Sequence, residues 1–245
     1  MDKDITKKES FVALFDILGF SDLVLKSNEL DKVANTYIKA KKDFENNTSH
    51  INSLLQKDAV TFHIFSDTIL MYTSEVNDTS FLALLAACDF LFLAAIENEL
   101  PIRGATSVGE LIVSNGIEIG KPIVEAYKNE KKQDWIGLWI TDDCMARINR
   151  YEHLIRKDIV EYEIPLKDGE VKKRYALNWV KSLPRKIMSE KRKNDFSTDE
   201  IKEEIKFFRK LPSDWKVKRK YENTKQFIDF VLSSEFIKIY KSSNP

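Results

Sequence analysis

The sequence predicts an α+β sandwich of the ferredoxin-like kind, an antiparallel sheet covered by helices, followed by a C-terminal α/β extension. Three observations carry this. Short β-type runs alternate with helical stretches through the first 143 residues, in the order strand, helices, two strands, helix, strand, short strand, helix, strand. The apolar stretch "FLALLAACDFLFLAAI" from Phe81, with Asp89 in its middle, reads as a buried helix. After about Asp143 the composition shifts toward lysine and arginine, and glycine appears only once more.

Taken in order, residues 10–18 form the first strand, which Gly19 and Ser21 end. From Ser21 to Phe44, apolar residues recur at three- and four-residue spacing, with a break at Ser27 and Asn28, so two helices follow. "AVTFHIFSDTILMYTS" reads as a hairpin whose strands meet at Ser66 and Asp67. A helix covers Asp78 to Glu99. "PIRGATSVGELIVSNGIEIG" is a long strand that turns at "SNG" into a short one. Pro122 suits the first turn of the next helix, and "WIGLWIT" is the last strand of this half.

Residues 1–143 therefore read as one domain and 144–245 as an extension packed on it. Within the extension, "IVEYEIPLKDGEVKKRYALNWV" reads as a hairpin around Asp168 and Gly169, with "TDEIKEEIKFFRKL" and "YENTKQFIDFVLSSEFIKIY" as amphipathic helices. Three roles are open to the extension: covering the outer sheet edge, enlarging a dimer interface, or closing a pocket with an aromatic such as Trp179.

Composition narrows the function classes. The 39 basic residues balance the 39 acidic ones, so there is no global electrostatic case for nucleic acid or an anionic membrane as partner. "KRK" at 191–193 and again at 218–220 reads more simply as solvated helix faces. Cys88 and Cys144 lack zinc-site spacing and fit buried thiols in a reducing compartment. The start, "MDKDITKKES", has no apolar signal-peptide core, and the run from Phe81 would be roughly 24 Å long against a hydrocarbon core of ~30 Å. The expectation is a cytoplasmic protein.

Two carboxylates interrupt β-type runs. Asp16 ends the first strand inside "FVALFDILGF", and Asp67 sits at the hairpin in "IFSDTIL". An aspartate at a strand end is commonly a turn or capping residue. Two on neighbouring strands cannot both stay ionised without a cation, and oxygen-ligated Mg²⁺ or Mn²⁺ is the usual solution. "ILGFS" after Asp16 would then turn the amides of Ile17, Leu18, Gly19, Phe20 and Ser21 toward a metal-held triphosphate.

"FDILGFS", "FSDTILMY", "RGATSVG" and "GKPIVEAYKNE" resemble, in order and spacing, the catalytic domain of class III nucleotidyl cyclases, over about residues 10–141. More narrowly, "IRGATSVGELIV", "GKPIVEAYKNEK" and "LNWV" look like the Pycsar anti-phage cyclases, which make cyclic UMP or cyclic CMP. The resemblance implies that Asp16, Asp67 and the Ile17 carbonyl hold two divalent ions for attack of the ribose 3′-hydroxyl on the α-phosphorus. It implies a head-to-tail homodimer with shared active sites, and a separate effector that responds to the cyclic product.

Departures from the family pattern carry information too. The position that reads purines, four residues before the second aspartate, is His63, and its partner position is Ile117, so neither purine pair is present. A pyrimidine pocket follows, UTP ahead of CTP, with His63 either a base contact or simply a hydrogen-bonded strand histidine. The family's transition-state asparagine aligns with Val124 and its arginine with Lys128, which either charges a phosphate of the partner's nucleotide or is a solvated lysine. Arg103, flanked by Ile102 and Gly104 in a β-run, must reach solvent at an edge or pair with a carboxylate or phosphate. The alternatives are an adenylate or guanylate cyclase with an atypical base pocket, and a degenerate cyclase-homology module that only dimerises.

Overall fold

A computed structural model describes residues 6–26, part of 34–49, 59–148, 158–191, 197–209 and 214–233. The first strand, β1 (Thr6–Ile17), starts four residues before the expected start at Ser10, because the polar stretch Thr6–Glu9 pairs with Val113–Glu110. β1 is an interior strand of the sheet. It pairs antiparallel with β3 (Thr68–Thr73) on one side and with β4 (Ile102–Ser114) on the other, and β2 (Val60–Phe65) lies outside β3.

Among the described residues the sheet has eight strands, in the order β2, β3, β1, β4, β6 (Leu138–Ile140), β8 (Lys173–Leu177) and β7 (Ile159–Glu163), with β5 (Ile117–Gly120) paired on β4. The fold is the α+β arrangement expected, an open sheet covered by helices. One pairing departs from antiparallel: β6 (Leu138–Ile140) runs parallel to β4, because the helix α3 (Lys121–Lys132) carries the chain back between β5 and β6. The sheet continues past residue 143, since β8 (Lys173–Leu177) pairs with β6 and β7 (Ile159–Glu163) with β8.

Alternation along β1 assigns its faces. Phe11, Ala13, Phe15 and Ile17 enter the main core, while Val12 and Leu14 enter a second cluster with Tyr72, Leu111 and Ala126. The main core lies under α2 (Asp78–Glu97), whose Phe81 and Phe92 meet Phe11 and Phe15 with ring centroids 4.9 and 5.9 Å apart. Asn77 caps α2, accepting from the Ser80 amide at 2.8 Å. At 20 residues α2 is longer than its apolar run and passes, by length and composition, as a membrane-crossing helix; 72% of its apolar window is buried inside the protein. The second cluster lies under α3, so the sheet carries a helix on this face as well. Asp16 shares the parity of Val12 and Leu14 and faces α3.

α1 (Phe20–Lys26) follows the turn at Gly19, whose φ of +79° suits glycine. The second helix expected before Phe44 lies largely outside the described residues. Downstream come α4 (Asp142–Met145), α5 (Ser182–Lys191), α6 (Thr198–Glu204) and α7 (Trp215–Ser233). The segment expected as one helix from Thr198 breaks at Ile205 into α6 and a 3₁₀ turn over Lys206–Arg209.

Trp179 is not a pocket lid. It is fully buried and stacks on Phe92 of α2 at 5.4 Å, because "LNWV" leads β8 directly back under the core helix. α7 is fastened beside it: Phe227 meets Trp135 edge-on at 4.8 Å, and Thr224 accepts from the Ile136 amide at 2.8 Å.

Burial pushes the phenols of Tyr162 on β7 and Tyr221 on α7 up to about 12, with Glu163 adding to the rise at Tyr162. A folded-state pKa above the ordinary value of about 10 contributes stability that is whole below pH 10 and is lost as pH climbs to about 12. In an alkaline titration read at 295 nm and by circular dichroism, these two of the eight tyrosines should ionise last, together with loss of structure. Ionisation of all eight near pH 10 with the fold intact would contradict their burial.

Candidate active site

The end of β1 brings the two sequence-predicted carboxylates to neighbouring positions. Asp16 pairs in register with Thr68 on β3, and the Ile17 amide donates to the Asp67 carbonyl at 3.0 Å. Asp67 occupies the two-residue turn between β2 and β3, in which Ser66 takes a φ of +57°. A non-glycine residue is strained there, and the turn holds Asp67 against the end of β1.

Two amides expected to face a triphosphate are already committed. The Ile17 N–H is spent on Asp67, and the Leu18 N–H donates to the Pro101 carbonyl at 2.8 Å, with the Leu18 side chain in the core. Leu18 is therefore a framework residue rather than a substrate contact. Gly19 and Ser21 stand exposed at the turn, with Phe20 half-buried between them.

Arg103 lies opposite Asp16 in the β1/β4 register, and of the two fates open to it, it pairs. Its side chain is 3% exposed and its Nη2 stands 3.5 Å from Asp16 Oδ2. It also donates through Nε to Glu130 Oε1 at 2.6 Å and through Nη1 to the Gln133 carbonyl at 2.8 Å, and Nη2 closes a second contact with Glu130. Gly104, next in β4, lets the strand approach closely: a Cβ there would stand 2.5 Å from the Phe15 ring.

Sequence reasoning missed Glu130 and Lys131, both on α3. Glu130 is fully buried, and burial pushes its carboxyl up, with Arg103 pulling it back. The signal was present: Pro122, Ala126 and Glu130 recur every four residues and form the helix stripe that meets the sheet. Lys131 Nζ stands 3.2 Å from Asp16 Oδ1 and 3.6 Å from Glu130 Oε2. Burial alone would lower the Lys131 ammonium, but Glu130 and Asp16 outweigh it and hold it above its ordinary value.

A relay from the extension supports this cluster. Gln133 donates to the Gly104 carbonyl at 2.8 Å and accepts from the Trp135 indole at 2.7 Å. Asp134 is gripped from α7, where Arg219 pairs with its carboxylate and Asn223 donates to its carbonyl at 2.7 Å. The segment that holds Arg103 is thus pinned from both sides.

The partner of His63 is Glu118, the residue after Ile117. Ile117 is 56% exposed, while its neighbour Glu118 meets His63 Nε2 at 3.3 Å and accepts from the Tyr72 hydroxyl at 3.5 Å. Burial, then Glu118, raises the Tyr72 phenol. Val124 and Lys128 are exposed on α3, and with Ile117, Ile119 and Tyr127 they form a half-apolar surface on β5 and α3. Asp16's cations are Arg103 and Lys131; Lys128 is not among them.

Asp16, Asp67 and the Ile17 carbonyl offer oxygen only. That donor chemistry fits Mg²⁺ or Mn²⁺. Among the described residues no group of three or more His, Cys, Asp and Glu side chains gathers here or elsewhere, so a metal here would draw on two carboxylates and the main chain.

No family model and no curated protein matches the sequence. Among solved structures, the chain is similar to the catalytic core of a rhodopsin-guanylyl cyclase with converted specificity in complex with ATPαS, at 16% identity and a TM-score of 0.49, covering 71% of this chain and 97% of that one. It is similar to adenylate cyclases from Trypanosoma brucei at 12% identity and a TM-score of 0.49, covering 70% and 90%. It is also similar to the guanylyl cyclase Cya2 at 12% identity and a TM-score of 0.45, covering 71% and 92%.

Proposed function

We propose that the protein is a metal-dependent pyrimidine nucleotide cyclase, converting UTP, or CTP, to the 3′,5′-cyclic monophosphate and pyrophosphate. The observation that supports this most is the placement of Asp16 and Asp67 side by side at the end of β1, joined by the bond from the Ile17 amide to the Asp67 carbonyl. The cyclase-like motifs converge on that point.

In the reaction, the ribose 3′-oxygen bonds to the α-phosphorus, the bond from that phosphorus to the bridging oxygen breaks, and pyrophosphate leaves while the hydroxyl proton passes to solvent. Asp16, Asp67 and the Ile17 carbonyl would hold two divalent ions, Mg²⁺ or Mn²⁺, whose charge would acidify the hydroxyl and neutralise the departing pyrophosphate. Arg103 fixes the orientation of Asp16 while its own fork is locked on Glu130. The triphosphate lies along the exposed turn at Gly19 and Ser21. Lys128 acts from the partner subunit in a homodimer that covers Ile117, Val124 and Tyr127, and His63 with Glu118 faces the base there.

The enzyme would act in the cytoplasm, as a second-messenger source in anti-phage defence whose product reaches a separate effector. Incubation of the purified protein with UTP, CTP, ATP and GTP separately, with Mn²⁺, should give cyclic product from a pyrimidine. Turnover of purines alone would overturn the base assignment while leaving cyclase chemistry in place.

A further inference from the structure

The two cations on Asp16 are not equivalent. Arg103 is 3% exposed and carries three further contacts, two to a fully buried carboxylate and one to the Gln133 carbonyl, so it cannot leave without stranding Glu130. Lys131 is 42% exposed, stands on the last turn of α3, and reaches Asp16 through a flexible four-carbon stem with its ring neighbour Tyr127 5.5 Å away. An ion pair at that exposure is weak and exchangeable. Lys131 also occupies the Asp16 oxygen opposite the one Arg103 faces, which is the oxygen left for an incoming ligand.

The geometry points to Lys131 as an exchangeable counter-ion of the metal site: it neutralises Asp16 when no divalent ion is bound, and turns to the polyphosphate when one is. This rests on the proposed metal role of Asp16. Its ammonium beside a divalent ion on the same carboxylate is repelled, and the nearest anion then is the triphosphate that the ion brings with it. Lys131 therefore opposes metal binding alone and favours binding of metal with nucleotide, so that the site fills as a unit. The last turn of α3 already steadies the lysine through the Lys167 ammonium, which donates to the Lys131 carbonyl at 2.6 Å.

The test measures Mn²⁺ binding by electron paramagnetic resonance without nucleotide, and 3′-deoxy-UTP binding by calorimetry at saturating Mn²⁺, for the wild type, Lys131→Met, Lys131→Arg and Asp16→Asn. Lys131→Met should bind Mn²⁺ alone about tenfold more tightly and 3′-deoxy-UTP about tenfold more weakly, while Lys131→Arg stays near wild type in the metal-only arm. Unchanged or weaker Mn²⁺ binding by Lys131→Met, with Asp16→Asn abolishing it, overturns the Lys131 role and leaves the metal site standing. Mn²⁺ binding that survives Asp16→Asn overturns both.

Discussion

Asp67→Ala should lower cyclic-nucleotide formation by at least ~10³-fold, since several kcal/mol of transition-state charge stabilisation depend on the metal that its carboxylate holds. The fold should survive the change. Asp67 is half-buried in a two-residue turn, its φ is not left-handed, and the bond that ties the turn to β1 uses its main-chain carbonyl, which alanine keeps. A thermal melt close to wild type alongside lost product formation would separate chemistry from folding. Persistent catalysis in a well-folded Asp67→Ala protein would show that the metal assignment is wrong.

The second large effect falls on stability. Arg103→Met strands the fully buried Glu130 and should cost about 3–5 kcal/mol in urea unfolding, toward the lower end because Lys131 stays near Glu130. Glu130→Leu added to Arg103→Met should recover part of the loss, because an apolar pair no longer buries an unpaired charge. Arg103→Lys should not restore the wild type, since the guanidinium fork meets Glu130 and the Gln133 carbonyl at once and an ammonium does not. Single and double variants of equal stability would mean that Glu130 carries no charge.

These outcomes trace what local sequence can and cannot carry. Asp16 was legible because it breaks a run that is apolar at every position. The run is continuous because β1 is buried on both faces, with Phe11, Ala13 and Phe15 on one and Val12 and Leu14 on the other. Asp67 was legible through the turn it shares with Ser66. Arg103 was legible as an arginine that needed a partner, but its main partner was not. Glu130 stands in "KNEKK", which reads as a solvated face until α3 is laid across the sheet.

The extension was the hardest part for the same reason. A hairpin around Asp168 and Gly169 is a local property, whereas the pairing of β8 with β6 is decided by which edge is free once the rest has folded. β6 itself is legible in "WIGLWIT", but its three residues do not say which strands flank it. The base pocket was legible only as a pair of aligned positions, and side-chain reach moved the partner of His63 from Ile117 to Glu118.

Phosphorus NMR of the wild-type protein turning over UTP with Mn²⁺ tests the central claim most directly. Equal amounts of 3′,5′-cyclic UMP and pyrophosphate should accumulate, and neither should form with Asp16→Asn. Linear UMP or UDP with orthophosphate, or the same products from both proteins, would contradict a cyclase built on Asp16 and Asp67.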